Sequence, residues 1–247
     1  SDTAAVRCVL TARDTGARLA EQPLLVAQSE GAGLPSVTVD TSVTFQRIVG
    51  FGGAFTEAAA VNWLALDASR REQVLQACFD PGRGHGYSLC RVHMGSCDFA
   101  LGSYSHVDDD SDLALESFSI ARDRQALLPF IRAAQQVAGT TIKLLASPWS
   151  PPAWMKTTGQ MCHGGSLRPD CRRAWARCYV RFVEAYAAEG VPIWGVSVQN
   201  EPAAVQRWDS CLYTAEQERD FVRDYLGPEL EAAGLGHRRI VIWDHNR

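Results

Sequence analysis

From about Val49 onward, short apolar runs alternate with longer stretches whose apolar residues recur three and four apart, the pattern of parallel strands joined by crossover helices. The candidate strands are FQRIVGFGG (45–53), YSLCRVHMGS (87–96), TIKLLASP (141–148), IWGVSVQN (193–200) and RRIVIWD (238–244). Amphipathic stretches lie near 57–79, 121–138, 171–189 and 214–233. Within the third, WARCYVRFVEAYAAEG stops on Gly190, because glycine readily takes the left-handed conformation that ends helices. Thr214 followed by Gln217 reads as a capping box that opens the fourth.

The strand–loop–helix unit recurs five times, which fits either an open doubly wound sheet or a closed eight-stranded barrel. No GxGxxG or GxxxxGK[ST] follows any strand, which removes the usual reason for an open nucleotide-binding sheet. Polar and aromatic residues gather at strand C-termini instead: Glu57, Asp98, Trp149, Trp154, Asn200, Glu201 and Asp244. That placement favours an α/β chain of the (β/α)8 TIM-barrel class, with residues 49–247 supplying about five of eight units. Five strands do not close a barrel, so the remainder is expected from C-terminal sequence beyond Arg247. Residues 1–48 follow another rhythm. VRCVLTARDTGARLA and SVTVDTSVTFQ alternate every second residue and are rich in Val and Thr, which predicts antiparallel strands of a side β-sandwich.

Composition narrows the partners. A net charge of −4 over 247 residues leaves no concentrated positive charge, so nucleic acid and anionic membrane surfaces are not expected. No apolar run approaches the roughly 18 residues of a membrane span, and the polar start SDTAAVRC lacks a signal-peptide core. Eight cysteines are many for a reducing compartment, yet they do not form a dense disulfide framework. Cys90, Cys97 and Cys178 read as buried thiols. Cys162 and Cys171 flank the loop CHGGSLRPDC and either close a small disulfide or stay free. The pair tilts the expected location toward secreted or periplasmic, with cytoplasmic as the alternative.

Glu201 is the sharpest chemical candidate. A carboxyl group that ends the apolar strand IWGVSV at a barrel mouth is partly desolvated, which favours its protonated form and suits it to donate a proton near neutral pH. The alternative is a solvated glutamate after a strand. Asn200 beside it offers both a donor and an acceptor to a sugar hydroxyl, and Pro202 ends the strand and stiffens the turn. Trp149 and Trp154 stand in the proline-rich ASPWSPPAW, where a ring face can stack on a sugar or merely pack beneath a loop. Arg91 and Asp98 are charges in a region expected to be buried, so Arg91 is expected to pair with a carboxylate, either structurally or facing substrate. The acidic HVDDDSDLALES lacks the glycine and the bidentate glutamate of a calcium loop. Cys162, His163 and Cys171 lack a second chelating pair for zinc, and no GxSxG supports a serine hydrolase. No cofactor is expected.

GFGGAFTEAAAVNWLAL, RVHMGSCDFALGSYS, LLASPWSPPAWMKTTGQM, WGVSVQNEP and IVIWDHNR, in this order and spacing, resemble the glucosylceramidase-like branch of glycoside hydrolase family 30. The resemblance covers about Ser36 to Arg247. It implies a retaining β-glycosidase on a (β/α)8 barrel with a β-sandwich built from both chain ends, acting on a β-glucoside or glycolipid. Glu201 would be the acid/base and Asn200 would hold the 2-hydroxyl. Arg91, Asp98, Trp149, Trp208 and Asp244 would contact the sugar. The family's nucleophile, a glutamate at the seventh strand, has no counterpart here, although retaining chemistry needs two carboxyls about 5–5.5 Å apart. Asp244 on the neighbouring strand is within reach at about 4.8 Å strand spacing, but the family pattern makes it a supporting residue. A non-catalytic sugar-binding fragment and an endo-β-1,6-glucanase are the alternative readings.

Overall fold

The computed structural model describes residues 5–26 and 37–246. It divides into two compact units, Ser1–Arg47 and Ile48–Arg247. In the first, β1 (Ala5–Val6) pairs antiparallel with β4 (Leu25–Val26), and β2 (Val9–Ala12) pairs antiparallel with β3 (Ala17–Glu21). The second predicted segment, SVTVDTSVTFQ, forms no strand over its described residues 37–46. Val37, Val39, Val43 and Phe45 are all exposed there. Alternation alone does not make a strand, since the backbone needs a partner for its N–H and C=O groups.

The second unit carries a five-stranded parallel sheet in the order β5 (Ala54–Phe55), β6 (Leu89–Met94), β7 (Lys143–Pro148), β8 (Ile193–Ser197), β9 (Arg239–Val241). Strands therefore neighbour one another in chain order, as in a barrel wall. Register places Phe55, Val92, Ala146, Val196 and Ile240 in one row across the sheet. The row on the opposite face holds Ala54, Arg91, Leu145, Gly195 and Arg239. Side chains alternate along a strand, so Arg91 shares its face with Ser147, two positions past Leu145, and Ser197, two past Gly195.

No regular strand forms over the first predicted strand, 45–53; the sheet begins just past it, at Ala54–Phe55. Gly52 lies so close to β6 that an added Cβ would stand 2.0 Å from the Leu89 carbonyl oxygen. Phe51 O accepts from both Ser88 N and Leu89 N, at 2.9 and 3.2 Å, and no even ladder forms. Close approach is bought here with glycine at the expense of regular pairing.

The helical stretch expected over 57–79 is two helices, α1 (Glu57–Ala65) and α2 (Ala68–Phe79). Leu66 is extended, and Asp67 caps α2 by accepting from Arg70 N at 2.9 Å. α3 (Leu127–Ala138) and α4 (Arg172–Ala188) bury apolar faces that include Leu128, Ile131, Tyr179, Phe182 and Tyr186. Gly190, with φ +75°, follows the end of α4 as expected. The fourth stretch opens with the Thr214–Gln217 capping box on α5 (Ala215–Phe221), passes through a π turn at Val222–Leu226, and ends as α6 (Gly227–Ala232). Pro228 has no N–H to continue the ladder, and Gly227 N instead donates to Val222 O.

Cys90, Cys97 and Cys178 are buried thiols, as their context implied, and all eight cysteines are free. The Cys162–Cys171 disulfide is therefore absent: Cys162 Sγ faces Asp209, while Cys171 is buried against Asp170 at the start of α4. Among the described residues, no helix is long and apolar enough to cross a membrane.

Candidate active site

Arg91 occupies the centre of a cluster at the C-terminal ends of β6, β7, β8 and β9. Its Nε donates to Ser147 Oγ at 2.9 Å, and its Nη2 donates to Asn200 Oδ1 at 2.8 Å and Asp244 Oδ2 at 2.6 Å. Ser147 Oγ in turn donates to Asp244 Oδ2 at 3.0 Å and accepts from Ser197 Oγ at 2.7 Å. The guanidinium carbon lies 4.6 Å from the centroid of the Trp149 ring, a cation–π contact. Trp149 is only 9% exposed, so its ring face stacks on Arg91. Arg91, only partly buried, thus pairs with a carboxylate, as expected.

The β8 backbone keeps its pairing past the regular strand. Asn200 N donates to Pro148 O at 2.8 Å, Asn200 bridges Asp244 in parallel, and Glu201 N donates to Asp244 O at 2.8 Å. Glu201 itself turns with φ +47°, in the left-handed region that non-glycine residues seldom take. The turn aims a half-buried carboxyl that accepts from Gln206 Nε2 at 3.3 Å on Oε2 and from Asn246 Nδ2 at 3.2 Å on Oε1.

Of the residues singled out from sequence, Arg91, Trp149, Asn200 and Asp244 form one network, with Glu201 at its edge. Asp98 departs from expectation: it is exposed in the turn that follows β6, where its charge stays in water and needs no partner. Trp208 is half-buried on the loop after Glu201, with the Arg207 guanidinium 5.9 Å from its ring centroid. Trp154 donates its indole N–H to Val107 O at 3.2 Å and so secures a loop. Sequence reading missed Ser147, Ser197, Gln206 and Asn246. The two serines come onto the Arg91 face only through the register of neighbouring strands, and the two amides reach Glu201 only through loop conformation.

A second polar cluster is built around Glu57, Arg122 and Asp123. Glu57 accepts from Arg122 Nε at 2.7 Å, Arg122 Nη2 at 3.0 Å and Leu101 N at 2.7 Å. Burial pushes the Glu57 carboxyl up, but the Arg122 guanidinium and the Leu101 N–H together hold it below its usual value. Arg122 also lies over Tyr104, 4.2 Å from the ring centroid, and Tyr104 OH donates to Asp123 at 3.0 Å. Asp123 accepts from Tyr186 OH at 2.7 Å and meets His106 Nε2 at 3.2 Å. His93 accepts from Glu57 N at 3.0 Å on Nε2, and its Nδ1 meets Gly95 O at 2.6 Å, so Nδ1 carries the proton. Burial pulls the His93 pKa down and keeps the ring neutral.

The glycosyl hydrolase family 30 TIM-barrel domain matches residues 48–247, the whole sheet with the strand ends just described. The chain belongs to glycosyl hydrolase family 30. Within that family, lysosomal acid glucosylceramidase of Mus musculus is 37% identical over 227 residues, 88% of this chain and 44% of that protein. SrfJ from Salmonella typhimurium is 42% identical with a TM-score of 0.78, over 81% of this chain and 45% of that structure. The endo-β1,6-glucanase BT3312 is 32% identical with a TM-score of 0.78, over 84% and 46%. The chain spans half the length or less of the curated relatives it matches. Its five parallel strands are accordingly part of the family 30 barrel.

Proposed function

We propose that the chain belongs to a retaining β-glycosidase that cleaves β-linked glucosyl units by double displacement, with Glu201 as the acid/base. The observation that carries this reading is the Glu201 carboxyl itself. It stands at a strand end, turned by a left-handed backbone, and is held by two amides beside the Arg91–Asn200–Asp244 network. In the first step its proton passes to the glycosidic oxygen as the C–O bond breaks; in the second, the carboxylate takes a proton from the attacking water. Asn200 gives its Oδ1 to Arg91, which leaves Nδ2 to donate to a sugar 2-hydroxyl. Trp149 backs Arg91 and with it forms the floor of the site, while Asp98 and Trp208 meet the sugar from the flanking loops. The family resemblance assigns the nucleophile to a glutamate outside residues 1–247, and Asp244, whose Oδ2 accepts from Arg91 and Ser147, is read as a supporting carboxylate.

Glu201→Gln in the complete protein tests the assignment. Turnover of a glucoside with a poor leaving group is expected to fall by about 10²–10⁴. Bond cleavage in a 2,4-dinitrophenyl glucoside, which needs no protonation, is expected to stay near normal, and added azide should restore its release as glycosyl azide. Retained turnover of the poor-leaving-group substrate sinks the assignment. The likeness to an endo-β1,6-glucanase supports a β-1,6-glucan as a second substrate reading. A panel of glucosylceramide, aryl β-glucosides and β-1,6-glucan separates the two.

A further inference from the structure

We infer that Gln206 is a positioning residue for Glu201, one that keeps Oε2 an acceptor and so directs the transferable proton to Oε1. The inference rests on the acid/base reading above. Its physical basis is the difference between the two amides on that carboxyl. Asn246 is exposed and approaches Oε1 from beyond the last strand. Gln206 is half-buried and its main chain sits in a built socket. Gln206 N donates to Ser210 Oγ at 3.2 Å, and Gln206 O accepts from His163 N at 2.8 Å and from Ser210 Oγ at 3.2 Å. Ser210, 4% exposed, is held in turn by Lys156 Nζ on its carbonyl and by its own N–H to Met161 O at 3.0 Å.

Next to it, Asp209 is 3% exposed and accepts from Ser96 Oγ at 2.5 Å, Ser103 Oγ at 2.7 Å and Cys162 Sγ at 3.5 Å. The loops that follow β6, β7 and β8 therefore meet at 209–210 and hold the main chain from which the Gln206 amide reaches Glu201. None of these ties uses the Gln206 side chain, whose one described hydrogen bond goes to Glu201 Oε2.

The chemistry follows from hydrogen-bond polarity. An amide N–H can face a carboxylate oxygen or the C=O oxygen of a neutral acid, but it opposes an O–H. A pinned donor at Oε2 excludes the proton from that oxygen, while the looser Asn246 yields at Oε1. A donor to the charged form also favours that form over the protonated one, so its removal is expected to act on ionisation as well as on geometry.

Gln206→Leu and Gln206→Glu in the complete protein test this by kcat/KM against pH. The alkaline limb is expected to move up by about half to one pH unit in Gln206→Leu, and further in Gln206→Glu, where a like charge is added. For a poor leaving group kcat/KM should fall about tenfold, with 2,4-dinitrophenyl glucoside little affected. A limb that stays in place in both variants, or an equal loss on both substrates, overturns the inference. Failure of either variant to fold also counts against it, because the socket is made of main chain. If Glu201→Gln retains turnover, the acid/base reading fails; if it does not, and the limb stays fixed in the Gln206 variants, only this inference fails.

Discussion

Arg122–Glu57 and Arg91–Asp244 are both arginine–carboxylate pairs near C-terminal strand ends, and they are completed very differently. Arg122 grips both oxygens of Glu57, a backbone N–H adds a third donor, and the network runs on through Tyr104 to Asp123, His106 and Tyr186. Arg91 touches a single oxygen of Asp244 and shares the same nitrogen with Asn200. Among the described residues no hydrogen bond engages Asp244 Oδ1 or Asn200 Nδ2, and the Arg91 and Asp244 side chains keep 29% and 24% exposure. A cluster whose capacity is filled by the chain itself holds the fold. One that leaves donors and acceptors unspent at an opening has room for a ligand.

The contrast breaks most severely at Asp123. Asp123→Ala strips two tyrosine hydroxyls and His106 of their shared acceptor in a buried setting, and a loss of about 3–5 kcal/mol is expected in urea unfolding. A loss under about 1 kcal/mol would show that the inner cluster is not what secures the loop after β6. Arg91→Met should act the other way round. In the complete protein kcat/KM should drop about 100-fold, equivalent to about 2.7 kcal/mol, while stability changes by less than about 1 kcal/mol because the pair is half-exposed. A parallel loss of several kcal/mol in stability would place both clusters in the same structural class.

The mildest test is pH. His93 has its folded pKa depressed below 6.5, so between that value and the folded one the unfolded chain binds a proton that the folded chain refuses. Stability present above pH 6.5 should therefore be lost as pH falls, with a slope of at most about 1.4 kcal/mol per pH unit. His93→Gln should flatten that segment in a series of denaturant melts. Glu57 and Asp123, both depressed as well, act in a separate window, where stability is lost as pH falls below about 4.5 and 3.8. An unchanged slope in His93→Gln would mean that the ring does not stay neutral within the fold.

Legibility in the sequence followed burial. Strands covered by helices read as apolar runs, and so β6, β7 and β8 with α3 and α4 were evident. Glu201 and Asn200 stood out because charge and amide interrupt such a run at its end. The need of a half-buried Arg91 for a carboxylate was equally plain, although which one required the parallel register. What escaped depended on contacts that no local pattern records. Gly52 shortens β5 because of a carbonyl on another strand, and Ser147 and Ser197 matter only once Arg91 lies across them. Asp98 looked buried because it follows a buried strand, yet the turn carries it outward. The alternation of SVTVDTSVTFQ promised a strand without saying what it would pair with.

Glu201 carries one more consequence through its backbone. A left-handed conformation costs a residue with a Cβ roughly 1–2 kcal/mol, and glycine would occupy φ +47° without that cost. Any search for hardier variants of this chain, scored on melting temperature alone, would be drawn to position 201 and would reward discarding its carboxyl. On the acid/base proposal, durability and chemistry compete there for a single residue, and a stability screen that spares activity would then hold that position fixed.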